Sequence, residues 1–209
     1  MTHFFLFLNF YKRQIINMRP WLLTAGVVFA FGFSIGIILY IAAPELIVDF
    51  KDALKELAEK VSKDGKIQLS WQSVHFVFWQ NFTAALIASF GGAIFGLPTI
   101  FISFVNFVLL GFLAGLAIFG SEAGQLNLFR FLVLIIPHGI FEIAAILFSV
   151  ALGLKLGISW LLPKSKGQRT ETFWLSLKQI FVMMPLVVIL LFVAATIEIF
   201  VTGSISRWL

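Results

Sequence analysis

A long apolar segment containing two ionisable side chains constrains this chain more than any other feature. The segment covers residues 128–162 and contains the sequence Pro137-His138-Gly139-Ile140-Phe141-Glu142. As a single helix it would reach roughly 50 Å, whereas the hydrocarbon core of a bilayer is about 30 Å thick. The segment is therefore too long for one straight crossing.

Pro137 and Gly139 mark the place where we expect the chain to bend. Proline lacks a backbone donor and disfavours helix in the residue before it, but it suits the first turn of a new helix. The sequence therefore predicts a broken helix. A short re-entrant or interfacial arm at residues 128–136 precedes a full span at residues 138–162.

The composition predicts a multi-pass membrane protein. Of the 209 residues, 60% are hydrophobic and only 12% are charged, which is outside the usage of soluble globular proteins. The basic residues behind the net charge of +5 lie mainly in the short segments next to the apolar stretches, where they indicate membrane orientation. No nucleic-acid partner is expected. The chain has no cysteine, which excludes disulfides, thiolate catalysis and cysteine metal sites.

Five apolar stretches predict an all-α fold with about five transmembrane helices in a single membrane domain, residues 1–209. The predicted spans are residues 21–43, 74–96, 98–120, 138–162 and 180–201. Residues 1–20 are expected to form an interfacial N-terminal segment. Residues 44–73 form a loop in which apolar positions recur with helical period over 46–61, which predicts an amphipathic helix.

Basic residues in the short loops predict the orientation of the chain. With five crossings, Lys12, Arg13 and Arg19 lie on the same side as the basic residues of 155–178. The N-terminus is therefore expected in the cytoplasm and the C-terminus outside the cell membrane. The amphipathic helix would also be extracytoplasmic.

Glycine pairs at GxxxG spacing predict close packing between helices. The pairs are Gly32 with Gly36, Gly92 with Gly96, Gly111 with Gly115, and Gly153 with Gly157. These faces exceed what five spans need for one bundle, so we expect a homodimer. The apolar side of the amphipathic helix would lie either in that dimer or flat on the outer leaflet.

His138 and Glu142 are four residues apart, which places them on one face of a helix. Helix direction puts Asn81 and Glu198 at a similar depth, so these four residues are expected to form one polar cluster. Ionisable groups at membrane depth are costly unless they are paired or hydrated. The cluster is therefore a functional-site hypothesis.

Four roles are open for His138 and Glu142: a hydrogen-bonded brace, a proton or ion pathway, a partner-binding notch, and a metal site. The brace is favoured because a bend at membrane depth frees backbone groups that need partners. No metal or cofactor is expected, since the His-Glu-x-x-His pattern is absent, although Glu198 or His75 would supply a further ligand. No serine or threonine lies in a nucleophile setting, so an enzyme is not expected.

An ordered set of motifs covers residues 74–203. It comprises Asn81-x-x-Ala84, Gly92-x-x-x-Gly96, Asn106 with Leu110-Gly111, Pro137-His138-Gly139-x-x-Glu142, Leu156-Gly157 and Ile197-Glu198-x-Phe200. In order and spacing these motifs resemble the stage II sporulation protein M family, and Pro-His-Gly-x-x-Glu is the most specific of them. Phe107 departs from the family, which usually has glycine there, and this puts a close helix crossing at that position in doubt.

The resemblance implies a membrane scaffold, since the family namesake works with peptidoglycan-degrading partners during engulfment in sporulating bacteria. We therefore expect a non-enzymatic membrane protein that scaffolds or recruits other membrane or cell-envelope proteins. The alternative is a small ion-coupled or proton-coupled transporter or channel that uses His138, Glu142 and Glu198. The absence of cysteine and the Glu/Lys-rich helix at 46–61 also fit an archaeal or thermophile relative.

Overall fold

The computed structural model describes residues 2–43, 62–63, 66–120, 127–162 and 167–208, and nearly all of them are helical. The main helices are α1 (Thr2–Asn17), α2 (Arg19–Ala42), α3 (Trp71–Phe90), α4 (Leu97–Phe119), α5 (Leu128–Ile158) and α6 (Arg169–Ile197). The shorter elements are the antiparallel strands β1 (Ser62–Lys63) and β2 (Lys66–Ile67), 3-10 turns at Gly91–Ala93 and Ser159–Leu161, a π-helical turn at Glu198–Thr202, and α7 (Gly203–Ile205). The predicted amphipathic helix at 46–61 lies outside the described residues.

Four helical segments of the described chain are long and apolar enough to cross a membrane. They are Arg19–Ala42, Leu97–Phe119, Leu128–Leu161 and Arg169–Ile205. Helix α3 occupies the place of the second predicted span and has 20 residues, but it carries Gln72, Gln80 and Asn81 among its apolar side chains. The fold is thus a helical, multi-pass membrane fold with four candidate spans, and a crossing by α3 stays a prediction.

Helix α5 is continuous, so the predicted separation into an arm and a span is not confirmed. Pro137 lies inside this helix of 31 residues. Proline removes one backbone hydrogen bond, but its φ angle is helical, and membrane helices tolerate it where neighbouring helices cover the gap. A helix longer than the hydrocarbon core can tilt or extend past the membrane surface, which removes the need for a break.

Helix α5 is also the central helix of the bundle. It packs against α2, α3, α4 and α6. Six consecutive residues, Ser149 to Leu154, are all buried. Because consecutive residues of a helix point in all directions around its axis, this part of α5 is enclosed on every side.

Glycines bring the backbones of α2 and α4 into contact. A Cβ atom added to Gly36 of α2 would collide with the carbonyl oxygen of Val108 in α4. A Cβ atom added to Gly111 of α4 would collide in the same way with the carbonyl oxygen of Phe33 in α2. Only glycine on both helices permits this approach.

Phe107 lies beside this crossing and does not prevent it. Its side chain is buried, and its ring meets that of Phe29 edge-on at 4.9 Å between centroids. Gly32 makes room for it, since a Cβ atom added to Gly32 would lie 2.9 Å from the Cβ of Phe107. The close crossing is therefore kept, in spite of the larger side chain.

The other two GxxxG pairs meet where α5 passes the turn between α3 and α4. A Cβ atom on Gly92 would collide with the carbonyl oxygen of Gly153, and one on Gly157 would collide with the backbone nitrogen of Gly96. All four predicted glycine pairs are thus used inside one chain. We expected a homodimer because these glycine pairs exceeded what one bundle needs, and none of the four is left over. The homodimer itself stays a prediction.

Polar side chains connect α1 to the bundle. The buried Gln179 of α6 accepts a hydrogen bond from Nζ of Lys155, and its Nε2 donates to Oε1 of Gln14 at 3.1 Å. The hydroxyl of Tyr11 donates to the carbonyl oxygen of Val182 at 3.3 Å. The N-terminal helix is therefore attached to α6, and its predicted location at the membrane interface is not tested.

We expect Gly153→Ala to destabilise the folded protein by about 1–3 kcal/mol, as overpacking of a tight interior does. The added methyl group would collide with the carbonyl oxygen of Ala88 and would lie 2.5 Å from Oγ1 of Thr99. Gly26→Ala is the matched control, because open space surrounds that glycine of α2 and alanine is the better helix former. Thermal unfolding in detergent measures both variants, and equal melting temperatures would contradict the packing described here.

Candidate functional site

His138 and Glu142 occupy successive turns of α5, in the part of the helix that follows Pro137. His138 is buried and Glu142 is partly buried. Their side chains face each other, with 4.0 Å between Nε2 of His138 and Oε2 of Glu142. The spacing of four residues on one helix produces this pair directly.

The third member of the cluster, Glu198, comes from the end of α6. Nitrogen and carboxylate oxygen atoms of His138, Glu142 and Glu198 all lie within 4.8 Å of one another. Glu198 opens the π-helical turn Glu198–Thr202, an element that often occurs at functional sites because it redirects the side chains of a helix. The cluster therefore joins α5 to the π-helical turn that follows α6.

Thr202 is a further contact of the cluster that the sequence analysis missed. Its buried hydroxyl oxygen lies 3.3 Å from Nδ1 of His138. Thr202 follows Glu198 by four residues, so both side chains lie on the side of the chain that faces His138. This spacing is the feature of the sequence that could have predicted the contact. With Nδ1 bonded to Thr202, Nε2 of His138 is the nitrogen that faces Glu142.

A cavity of about 190 Å³ lies beside His138 and Glu142, between α4 and α5. Its lining is mainly apolar, and Asn106 is the polar residue that α4 contributes. Nδ2 of Asn106 donates to the carbonyl oxygen of Ile102, within its own helix. Gly139 also lines the cavity, so its missing side chain leaves space next to His138. This volume is well above what one water molecule needs, so the cavity has room for a small ligand.

Asn81 and His75, the other polar residues considered, both lie on α3. That helix packs against α5 and α6, and Asn81 is partly buried on it. Membership of Asn81 in the cluster stays a prediction. His75 is exposed and stacks on Trp79, with ring centroids 6.3 Å apart, so it is not a further ligand of the cluster.

The fold and the cluster together define a multi-pass helical membrane protein with a buried polar site between two of its helices. The profile of the Stage II sporulation protein M family (SpoIIM) matches residues 25–203, and the chain belongs to this family. An uncharacterised protein of Methanocaldococcus jannaschii is 31% identical over 146 residues, which are 68% of this chain and 76% of that protein. No solved structure matches the chain.

The family resemblance noted in the sequence is thus confirmed, and the match reaches further than the motifs did. It begins at residue 25, whereas the motifs begin in the second predicted span. The additional part includes most of α2, which is the helix that packs on α4 through Gly36 and Gly111. Helix α2 therefore belongs to the family core.

We expect Thr202→Val to destabilise the protein by about 1–2 kcal/mol, because it leaves a buried nitrogen of His138 without its hydrogen-bond partner. Thr83→Val is the matched control, since the hydroxyl of Thr83 is exposed and bonds only to the carbonyl oxygen of Trp79 in its own helix. Chemical or thermal unfolding in detergent compares the two variants. If Thr202→Val unfolded like Thr83→Val, the contact with His138 would contribute nothing to stability.

Proposed function

We propose that this protein is a non-enzymatic scaffold of the cell membrane that holds or recruits other membrane or cell-envelope proteins. The observation that carries this proposal is the position of the polar cluster. His138 contacts Glu142 on its own helix and Thr202 on the turn after α6, so the cluster acts as a brace between two elements. A brace fixes the shape of a bundle, which is what a protein that presents surfaces to partners requires.

Membership in the family supports the same proposal, because a membrane scaffold is the role that the family resemblance implies. The candidate partner contact is the loop before α3, residues 44–70, for which the sequence predicts an extracytoplasmic amphipathic helix. We take residues 1–209 as a single membrane domain with five crossings, α3 being the second. The N-terminus is cytoplasmic in this topology, as the basic residues near it indicate.

Reporter fusions in the loop 45–70 and in the connection between α5 and α6, at residues 163–168, test this topology. With five crossings the two loops lie on opposite sides of the membrane, so a periplasmic-type reporter is expected to be active in the first loop and inactive in the second. A cytoplasmic-type reporter at the same two positions should give the reverse pattern. Equal activity at both positions would mean that α3 does not cross.

A transporter or channel is the rival function, and it needs a hydrated route to the cluster. The cavity beside His138 and Glu142 is lined mainly by apolar side chains, which suits a packed interior better than a route for ions. Proton and simple-cation flux into liposomes measures this directly. We expect no flux above empty liposomes; flux in the wild type that His138→Ala and Glu142→Gln both abolish would replace the scaffold with a transporter.

Crosslinking in native membranes tests the scaffold role itself. The full chain is expected to crosslink to defined envelope or membrane proteins, and deletion of residues 46–63 should remove those products. A variant with the same residues replaced by a flexible polar linker of equal length controls for the spacing of the spans. Identical products from all three chains would contradict recruitment through this loop, and a product of twice the chain mass would be the homodimer.

A further inference from the structure

We propose that His138, Glu142 and Glu198 form a binding site for one divalent transition-metal cation, with Zn²⁺ as the reference ion. The proposal concerns the cluster alone and does not depend on the scaffold role. From the sequence we expected no metal, because the His-Glu-x-x-His pattern is absent, although Glu198 was considered as a further ligand. The structure brings in the third residue from another element, and three protein ligands are enough for a site of this kind.

The distances within the cluster suit a common ligand. The ligand atoms of the three side chains lie within 4.8 Å of one another. Around a tetrahedral Zn²⁺ with ligand distances of about 2.0–2.2 Å, the ligand atoms are about 3.3–3.6 Å apart. Each glutamate side chain has three rotatable bonds, and rotation about them is the movement that would bring its carboxylate closer to a bound ion.

The charges of the cluster also favour a cation. Two carboxylates, Glu142 and Glu198, share one small region, and an imidazole is the basic group that faces them. Both carboxylates are partly buried, and a carboxylate withdrawn from solvent is stable only when a charge partner or a proton compensates it. One divalent cation would neutralise both carboxylates at once, while His138 bound it as a neutral ligand.

The contact with Thr202 prepares His138 for this role. Metal-binding histidines usually hold one ring nitrogen in a hydrogen bond and offer the other to the metal. Here Nδ1 of His138 meets the hydroxyl oxygen of Thr202, and Nε2 faces Glu142. Thr202 is therefore a positioning residue of the proposed site, and the adjoining cavity provides room for a further, non-protein ligand.

The ligand types select the class of cation. One imidazole nitrogen and two carboxylates suit Zn²⁺, Mn²⁺, Fe²⁺ or Co²⁺, whereas Ca²⁺ and Mg²⁺ prefer oxygen ligands alone and in larger number. A bound ion would connect α5 to the π-helical turn that follows α6. It would thus strengthen the same connection that His138 and Thr202 already make.

The experiment is a Zn²⁺ titration of the full chain, purified in detergent without a histidine tag and stripped with a chelator. Calorimetry and elemental analysis after dialysis are expected to give one Zn²⁺ per chain, and Zn²⁺ should raise the melting temperature, since it binds only the folded state. His138→Ala, Glu142→Gln and Glu198→Gln should each weaken binding at least about tenfold. Thr202→Val should weaken it less while keeping the stoichiometry of one.

The matched control is His75→Ala, which removes an exposed histidine that stacks on Trp79 away from the cluster, and it should bind like the wild type. The two glutamine variants keep the shape of the side chain, so they decide the question if His138→Ala does not fold. Size-exclusion chromatography shows which variants are folded. A folded wild type that retains no Zn²⁺, or folded glutamine variants that bind as tightly as the wild type, would overturn the proposal.

Discussion

The close approach of α5 to the turn between α3 and α4 is the interaction on which the rest of the bundle depends. Inside a bilayer, an apolar side chain gains little free energy by exchanging lipid tails for another helix. Helices therefore associate through close packing and hydrogen bonds. Gly153 and Gly157 supply this packing, because the backbone of the turn lies directly against them. Since α5 also contacts α2, α4 and α6, this one contact fixes the helix that the others surround.

Hydrogen bonds strengthen the same contact. The hydroxyl of Thr99 donates to the carbonyl oxygen of Ala88 at 2.7 Å, which connects the start of α4 to the end of α3. The hydroxyl of Ser89 donates to the carbonyl oxygen of Ser149 at 3.5 Å and so connects α3 to α5. Both hydroxyls are buried, and in an apolar environment such groups need a partner inside the protein. The small side chains that permit close packing here are also the ones that form these bonds.

Much of the helical fold could be predicted from the apolar runs, because a helix that crosses a bilayer needs a long apolar segment. The pairing of His138 with Glu142 followed from their spacing of four residues. The continuous path of α5 through Pro137 was not predicted, because proline favours a helix break in the local sequence, whereas membrane helices can tolerate it when the freed backbone group is satisfied by their surroundings. The helices that pack against the glycine pairs could not be predicted either. A GxxxG pair marks a surface for close contact but does not specify which helix packs on it.

Two groups of polar side chains join α5 to α6 or to the turn after it, at separations that match the thickness of a membrane. On α6, Gln179 and Glu198 are 19 residues apart, which is roughly 28 Å along a helix. On α5, the corresponding residues are His138 and Lys155, 17 residues or roughly 26 Å apart. Both distances are close to the hydrocarbon thickness of about 30 Å.

If α5 and α6 cross the membrane without a large tilt, each polar group lies near one edge of the apolar layer, and the helices are joined at both edges. Lys155 meets Gln179 at one edge, and His138 lies with Glu198 and Thr202 at the other. Near an edge, ionisable groups cost less free energy than at the bilayer centre, because water and headgroups are within reach.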